Sequence, residues 1–208
     1  MKARLLILTR NKGGYQRISC GALDIENGKS YNLLEMNGDR PAFSRPYHVG
    51  EVMEVDFEPA AGLRAPHTED ILVRSTERIS GQLPDIAQTA EKYGPVPAGD
   101  HKALFDGRLN VTGSGSAFIN TQNLVQYSAS FWRASRPLIK ARFQNKTRYI
   151  LVSTTSKISI PYMGLEVDLP PVISAGTLLR VTLGPWWRPD DSPQVEERCY
   201  LQLSAFYR

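Results

Sequence analysis

The sequence contains few of the residues that build disulfide frameworks, zinc sites or membrane spans. It has 2 cysteines and 3 histidines among 208 residues, with Cys20 and Cys199 near opposite ends of the chain. Such spacing provides neither a disulfide framework nor paired thiolate ligands, so both cysteines are expected to be small buried hydrophobic residues. No apolar run approaches the roughly 18 residues that cross a bilayer. We therefore expect a cytoplasmic protein of one large or two small globular domains, without a membrane partner.

Catalytic motifs are also missing. The sequence has no Gly-x-Ser-x-Gly elbow and no His-Glu-x-x-His pair, and the glycine-containing segment 10–17 lacks the pattern of a nucleotide phosphate loop. His67, followed by Glu69 and Asp70, is the best candidate for a metal or acid-base site, but a histidine in such a turn more often caps loop backbone groups. The sequence predicts no enzyme activity, no catalytic residues, no cofactor and no metal site.

Acidic residues are absent from the long segment 107–165, which carries eight basic residues. Residues 1–104 hold 13 Lys and Arg against 14 Asp and Glu, whereas residues 105–208 hold 12 against 7. A local field of one sign attracts polyanions. The carboxyl-terminal half is therefore the half expected to meet an anionic partner.

Most of the sequence has the patterns typical of β-strands. Short apolar or alternating runs bounded by Gly, Pro and Asn predict a mainly β protein with one or two short helices. One helix is expected over 85–93, between Pro84 and Gly94-Pro95. The predicted strands are 3–9, 18–25, 30–34, 49–57, 71–75, 117–126, 140–143, 148–154, 176–183 and 198–207.

Two sequence segments resemble each other at equivalent places in the two halves. Residues 50–59 align without gaps on residues 176–185, and the two segments share Gly, Val and Pro at matching positions. The segment 94–115, rich in Gly, Pro, Ser and Asp, is expected to connect two units. We predict domains at 1–104 and 105–208, each a small barrel.

Several motifs resemble the dual OB-containing domain family. They are the opening segment 6–14, Arg17 with the strand Cys20-Gly21-Ala22, residues 66–72, residues 101–107 and the closing strands within 178–184 and 199–206. The chain departs from the family at 30–33, which reads Ser-Tyr-Asn-Leu in place of a Trp-x-Arg-Pro step. The resemblance implies two OB-like Greek-key barrels in tandem and a nucleic-acid link in bacterial conflict systems.

The strongest constellation of residues lies within 131–149, which holds six cations, four aromatics and no acid. A groove that binds single-stranded nucleic acid needs cations and aromatic rings, because phosphates attract cations and unpaired bases stack on flat rings. On one strand, Lys140, Arg142 and Arg148 are expected to line a common face, with Ile139, Ala141 and Phe143 filling the barrel. The alternative is a solvated basic strand edge that discourages edge pairing.

Two loops complete the predicted surface: the segment 10–17, and the loop that contains Trp186 and Trp187. Adjacent Trp186 and Trp187 cannot both point inward, so one is expected to pack on the barrel and the other to remain available to a base or a protein partner. The predicted nucleic-acid-binding residues are Trp132, Arg133, Arg136, Lys140, Arg142, Lys146, Arg148, Trp187, Arg188, Lys12 and Arg17.

The sequence thus favours a non-enzymatic module that binds nucleic acid, preferentially single-stranded DNA or RNA, as an accessory subunit of a defence system. The alternative is an adaptor that docks on a larger ATPase, nuclease or helicase, with the acidic strand 51–58 and the Trp186-Trp187 loop as its contacts.

Overall fold

A computed structural model describes residues 1–79, 84–152, 157–190 and 194–207. The chain divides into two compact units: the first comprises Met1–Arg64 and Glu69–Val96, and the second comprises Ala65–Thr68 and Pro97–Arg208. Residues 97–104, which the sequence prediction assigned to the first domain, belong to the second unit. The predicted fold class is confirmed, since both units are built mainly from strands.

The first unit is a closed five-stranded barrel. Its strands follow the order β1-β2-β3-β5-β4, and only β3 and β5 run parallel. This is the Greek-key order of an OB-like barrel. The strands are β1 (Lys2–Lys12), β2 (Ile18–Asp24), β3 (Ser30–Glu35), β4 (Val52–Pro59) and β5 (Asp70–Arg78).

Strand β1 closes this barrel because it pairs with two different neighbours. Its first half pairs with β4, its second half pairs with β2, and the register shifts between Ile7 and Thr9. The consecutive leucines and isoleucine at 5–8 are all fully buried. A register shift of this kind bends a strand, which a small closed barrel requires.

A short helix follows the first barrel. Helix α1 (Ile86–Lys92) begins after Asp85, whose side chain accepts a hydrogen bond from the backbone N–H of Gln88 at 2.9 Å. An aspartate at this position satisfies one of the free N–H groups of the first turn. The predicted helix over 85–93 thus matches the observed helix with its two capping residues.

The described residues of the second unit form ten strands in two sheets, together with two 3₁₀ turns at His101–Ala103 and Phe105–Gly107. One sheet has the order β12-β11-β10-β13, and the other has the order β6-β9-β14-β15-β8-β7. The strands are β6 (Ala98–Gly99), β7 (Asn110–Val111), β8 (Ala117–Ile119), β9 (Ala129–Ala134), β10 (Leu138–Phe143), β11 (Lys146–Val152), β12 (Lys157–Pro161), β13 (Val172–Ile173), β14 (Leu178–Leu183) and β15 (Cys199–Tyr207).

These strands repeat the connectivity of the first barrel. Strands β9 and β10 together act as one bent first strand, because β9 pairs with β14 while β10 pairs with β11. Strand β11 then pairs with β12, and β14 pairs with β15. A parallel bridge between Tyr162 and Leu203 joins the end of β12 to β15, as β3 joins β5 in the first unit. The second unit is therefore also an OB-like barrel.

The two matching sequence segments occupy the same place in the two barrels. Both become the fourth strand, and each is entered through a glycine with positive φ, +90° at Gly50 and +77° at Gly176. Each glycine donates its N–H to the carbonyl of a residue in the first strand, Ile7 and Ala134 respectively, at 2.8 and 2.9 Å. The similarity between the two sequence segments thus marks the same structural position in both barrels.

Three sequence predictions need correction. The strand expected over 117–126 ends at Ile119, because the side-chain oxygen of Asn120 accepts hydrogen bonds from the N–H groups of Gln122 and Asn123 and forms a turn. Strands β9 and β12 were not predicted. Residues 10–12, expected in a loop, extend β1. The predicted strand 148–154 is described only as far as Val152.

Candidate nucleic-acid interface

The cation-rich segment 131–149 forms β9, a bend, β10 and the first part of β11. Trp132 on β9 is fully buried in the core of the second unit, and its indole N–H donates to the carbonyl of Gly99 at 3.2 Å. The expectation that this ring stacks on a base is therefore wrong. Its neighbours Phe131 and Arg133 point the other way, because side chains alternate along a strand.

The cations of β10 and β11 lie on opposite faces of the sheet. In the antiparallel pair, Lys140 faces Tyr149 and Arg142 faces Thr147, whereas Arg148 faces Ala141. Lys140 and Arg142 therefore share one face, and Lys146 and Arg148 share the other. Lys140 and Arg142 thus share a face as predicted, whereas the prediction that Arg148 lies on the same face is wrong.

The apolar residues of β10 also point opposite to the expectation. Leu138, Tyr149 and Leu151 fill the barrel, whereas Ile139 is 52% exposed and Phe143 is 62% exposed. Ile139, Ala141 and Phe143 thus lie on the outside of the sheet. The strands β10, β11 and β12 share this outer surface, which we call the β10–β12 face; it presents Ile139, Ala141, Phe143, Lys146, Arg148, Ile150, Val152, Lys157, Ser159 and Pro161.

Arg148 is fixed in the middle of this face. Its Nε donates to the hydroxyl of Ser159 at 2.7 Å, and its Nη2 donates to the carbonyl of Ser159 at 2.7 Å and to the hydroxyl of Ser116 at 3.4 Å. Partial burial lowers the pKa of the guanidinium, although an arginine keeps its charge at neutral pH. A positive charge is therefore held in place beside the exposed Phe143 and Lys146.

The remaining predicted cations of the segment have separate positions. Arg133 on β9 donates to the carbonyl of Gly176 at 2.6 Å, and Lys140 donates to the carbonyl of Leu169. Arg136 is exposed in the bend between β9 and β10. These three side chains lie outside the β10–β12 face.

Past the barrel, β10 and β11 continue as a two-stranded arm. Strand β13 pairs with Leu138 and Ile139, β12 pairs with β11 as far as Arg148, and the Tyr162 N–H after β12 donates to the Thr147 carbonyl at 3.0 Å. The arm turns at Gln144 and Asn145, which both have positive φ, 47° and 60°, as a two-residue hairpin turn requires. We call residues 141–147 the β10–β11 ribbon. Sequence reasoning missed the ribbon and the exposure of Phe143, although acid-free strands flanking a polar dipeptide are a signal for it.

Of the two adjacent tryptophans, one packs on the barrel and the other is exposed, as expected from the sequence. Trp186 packs against the core of the second unit and donates its indole N–H to the carbonyl of Ala65 at 3.0 Å. Trp187 is 53% exposed, pairs through its backbone with Arg198, and lies with its ring centroid 6.1 Å from that of Tyr200. Arg188 beside it is exposed. This loop connects β14 and β15, the fourth and fifth strands of the barrel.

Lys12 and Arg17 flank the loop between β1 and β2 in the first unit, and both are exposed. Arg17 donates to the carbonyl of Arg40 at 2.9 Å and pairs with Asp39 at 3.3 Å. Its guanidinium therefore fixes the loop, which leaves it less available to a phosphate than an unpaired cation. The prediction for these two residues stays a proposal.

Charges in the two units are arranged differently. The acids along β4 each have a cation partner, Glu54 with Lys2 at 3.2 Å, Asp56 with the Met1 amino group at 3.4 Å, and Glu58 with Arg74; Glu51, just before β4, pairs with Arg78 at 2.6 Å. The expected acidic contact surface is thus neutralised within its own unit. Within the described ranges, no ion pair involves Lys140, Arg142, Lys146 or Arg148.

His67 belongs to the second unit, where its Nε2 lies 3.0 Å from the carbonyl oxygen of Gly184 and 3.7 Å from the Sγ of buried Cys199. Both cysteines are buried and free, as predicted. The part of the chain that the structure describes contains no group of three His, Cys, Asp or Glu residues arranged to hold a metal ion. It also contains no helix with the length and apolarity to span a bilayer.

Comparisons with known proteins give likenesses of structure only. No family profile matches the sequence, and no curated protein sequence matches it. A murine DNA-binding protein solved with double-stranded DNA overlaps 98% of this chain and 90% of its own, with 8% identity and a TM-score of 0.36. The p204 HINb domain overlaps 98% and 96%, with 9% identity and a TM-score of 0.37. The Ifi202 HINa domain solved with 20-bp double-stranded DNA overlaps 98% and 96%, with 5% identity and a TM-score of 0.33. Since these TM-scores lie below 0.5, the likenesses do not establish a function for this chain.

Proposed function

We propose that the second unit binds nucleic acid, without catalysing a reaction, through the β10–β12 face and the β10–β11 ribbon. The observation that carries this proposal is the exposed Phe143 ring on the same face as Lys146 and Arg148, on a segment without acids. An OB barrel binds oligonucleotides on its second and third strands and on the adjoining loops. In this unit those strands are β11 and β12.

The corresponding face of the first unit has different chemistry. There, the Ser19 hydroxyl donates to the Asn32 side chain at 3.1 Å, and Asn32 donates to the Asp70 carboxylate at 2.8 Å. A carboxylate repels phosphates, and the bonded hydroxyl and amide offer no ring for a base. We therefore assign the binding to the second unit; binding of nucleic acid by Lys12 and Arg17 of the first unit is a separate proposal.

Titration of labelled oligonucleotides at several salt concentrations tests the proposal. Phosphate contacts release counterions, so the logarithm of the affinity falls linearly with the logarithm of the salt concentration. About four phosphate contacts correspond to a slope near −3 for a single strand. Lack of binding at low salt, or binding that does not depend on salt, contradicts the proposal.

The exposed Trp187 favours a second function, in which the chain is an adaptor subunit. A large ring that is half exposed on a barrel loop, packed edge-on against Tyr200, is a typical anchor for a protein partner. The partner we propose for this function is a larger ATPase, nuclease or helicase of a bacterial defence system.

Pull-down with two variants separates the functions. The Trp187→Ala substitution is expected to weaken capture of the partner without changing oligonucleotide affinity. Charge reversal at Arg142 and Lys146 is expected to abolish oligonucleotide binding and leave capture intact. If both variants lose both activities, one shared surface serves both partners.

A further inference from the structure

The β10–β11 ribbon has a shape that an open barrel face lacks. Its last barrel contact is the Tyr162 N–H, which donates to the Thr147 carbonyl at 3.0 Å. Beyond that contact the ribbon consists of one residue pair, Phe143 and Lys146, and the two turn residues, so at a rise of about 3.4 Å per residue it projects by about 7 Å. Over 141–143 and at Lys146, its two strands have only each other as described partners. Residues 142–146 are all exposed, so both faces of its tip are open to a ligand.

The ribbon carries one cation on each face near its tip. Arg142 and Lys146 lie on opposite faces, and both are exposed. The described residues offer neither side chain a hydrogen bond or an ion pair, in contrast to Arg148 and Lys140 at the base of the ribbon. A single strand that follows one face of a sheet would meet only one of these charges. A ligand with phosphates on both sides would meet both.

Each groove of a double-stranded nucleic acid has two phosphate walls. The width of a groove decides whether the ribbon fits into it. Stacked sheets pack about 10 Å apart, so one β layer with its side chains is about 10 Å thick. The major groove of B-DNA is about 12 Å wide and about 8.5 Å deep and admits a two-stranded ribbon, whereas the minor groove is about 6 Å wide. The major groove of A-form RNA is too narrow for side chains to read.

The tip of the ribbon has the side chains that read base edges. Gln144 and Asn145 form the turn, and both are exposed. Amide side chains of this kind donate to and accept from adenine in the major groove, and an apolar side chain contacts the thymine methyl group. Phe143 stands next to the turn and is exposed.

We propose that the β10–β11 ribbon enters the major groove of double-stranded B-form DNA, with Arg142 and Lys146 on the two phosphate walls and the 143–145 tip at the base edges. This inference rests on the proposed function and replaces the single strand expected from the sequence with a duplex. The ribbon selects duplex DNA over one of its strands and over duplex RNA.

Fluorescence anisotropy with the full chain tests this inference. The probes are a labelled DNA duplex, one of its strands, and an RNA duplex of the same sequence. We expect the DNA duplex to bind at least tenfold more tightly than the other two. Arg142→Ala and Lys146→Ala are each expected to reduce the salt slope on the DNA duplex by about 1, and the double variant by about 2.

Lys102→Ala is the matched control, because Lys102 is an exposed lysine of the second unit away from the ribbon. Its salt slope should equal that of the unchanged chain. Equal or tighter binding of the single strand overturns the inference, as does a slope that responds to only one of the two ribbon cations. These outcomes leave nucleic-acid binding in place, whereas the absence of binding to all three probes rejects the proposed function itself.

Discussion

The indole N–H of Trp132 donates a hydrogen bond to the carbonyl of Gly99 at 3.2 Å, and the ring is completely buried. This tryptophan is thus part of the core that holds β6 beside β9. We expect Trp132→Ala to lower the free energy of unfolding by about 3–5 kcal/mol, as removal of a large buried ring does. Urea unfolding measures this loss. If folded Trp132→Ala protein keeps its stability but loses oligonucleotide binding, the ring contacts the ligand and its core assignment is wrong.

The two glycines that precede the fourth strands, Gly50 and Gly176, are predicted to affect stability through their backbone conformation. Gly176 has a φ of +77°, and a Cβ added there would meet no atom within 4 Å. The expected cost of Gly176→Ala is therefore about 1–2 kcal/mol, the price of a left-handed conformation for a residue with a Cβ. Gly113 is equally open but lies outside the left-handed region, so Gly113→Ala should change stability by less than about 0.5 kcal/mol. Equal effects in urea unfolding would reject the conformational explanation.

The mainly β fold class of both units follows from local signals in the sequence. The leucine-rich run at 5–8, the Asn27-Gly28 turn and the Gly-to-Pro segments at 50–59 and 176–185 each mark a strand or its end. These signals are local, because proline fixes φ and glycine permits positive φ wherever they stand. Periodicity and punctuation were therefore sufficient for the fold class.

The orientation of β10 could not be obtained in the same way. Its two alternating sets are Leu138 with two cations, and Ile139 with Ala141 and Phe143. Hydrophobicity alone favours burial of the second set, but Leu138 is the residue of β10 that is buried in the core, and beyond Lys140 the strand becomes the ribbon. The neighbouring strands decide where a strand leaves its barrel. The exposed site at Phe143 therefore emerged only from the structure.

Alkaline pH is predicted to destabilise the first unit. Burial raises the pKa of Cys20 from 9.0 to about 12 and that of Tyr47 from 10.0 to about 12. Above pH 9 the unfolded chain therefore releases protons that the folded chain keeps, and stability falls as pH rises toward 12. The urea midpoint should stay level from pH 7 to about 9 and decline by pH 11.

Two tyrosine variants test the source of this decline. Tyr47→Phe removes one of the buried groups whose pKa is raised and is expected to make the decline shallower, by at most about 1.4 kcal/mol for each pH unit. Tyr15→Phe is the control, because Tyr15 is 88% exposed, and it should leave the decline unchanged. An identical pH profile for both variants would show that Tyr47 titrates alike in the folded and unfolded chains.

The exposed ring of Phe143 is predicted to serve binding and contribute little to stability. Because 62% of this residue is exposed, Phe143→Ala should change the urea midpoint only slightly. Contact of one aromatic ring with a base is worth about 1–3 kcal/mol, so the oligonucleotide affinity should fall by at least about fivefold. Phe43→Ala is the matched control, since Phe43 is similarly exposed at 54% but lies in the first unit; its affinity should be unchanged. Equal losses of affinity in the two variants would place the binding surface on both barrels, and no loss in either would remove Phe143 from the interface.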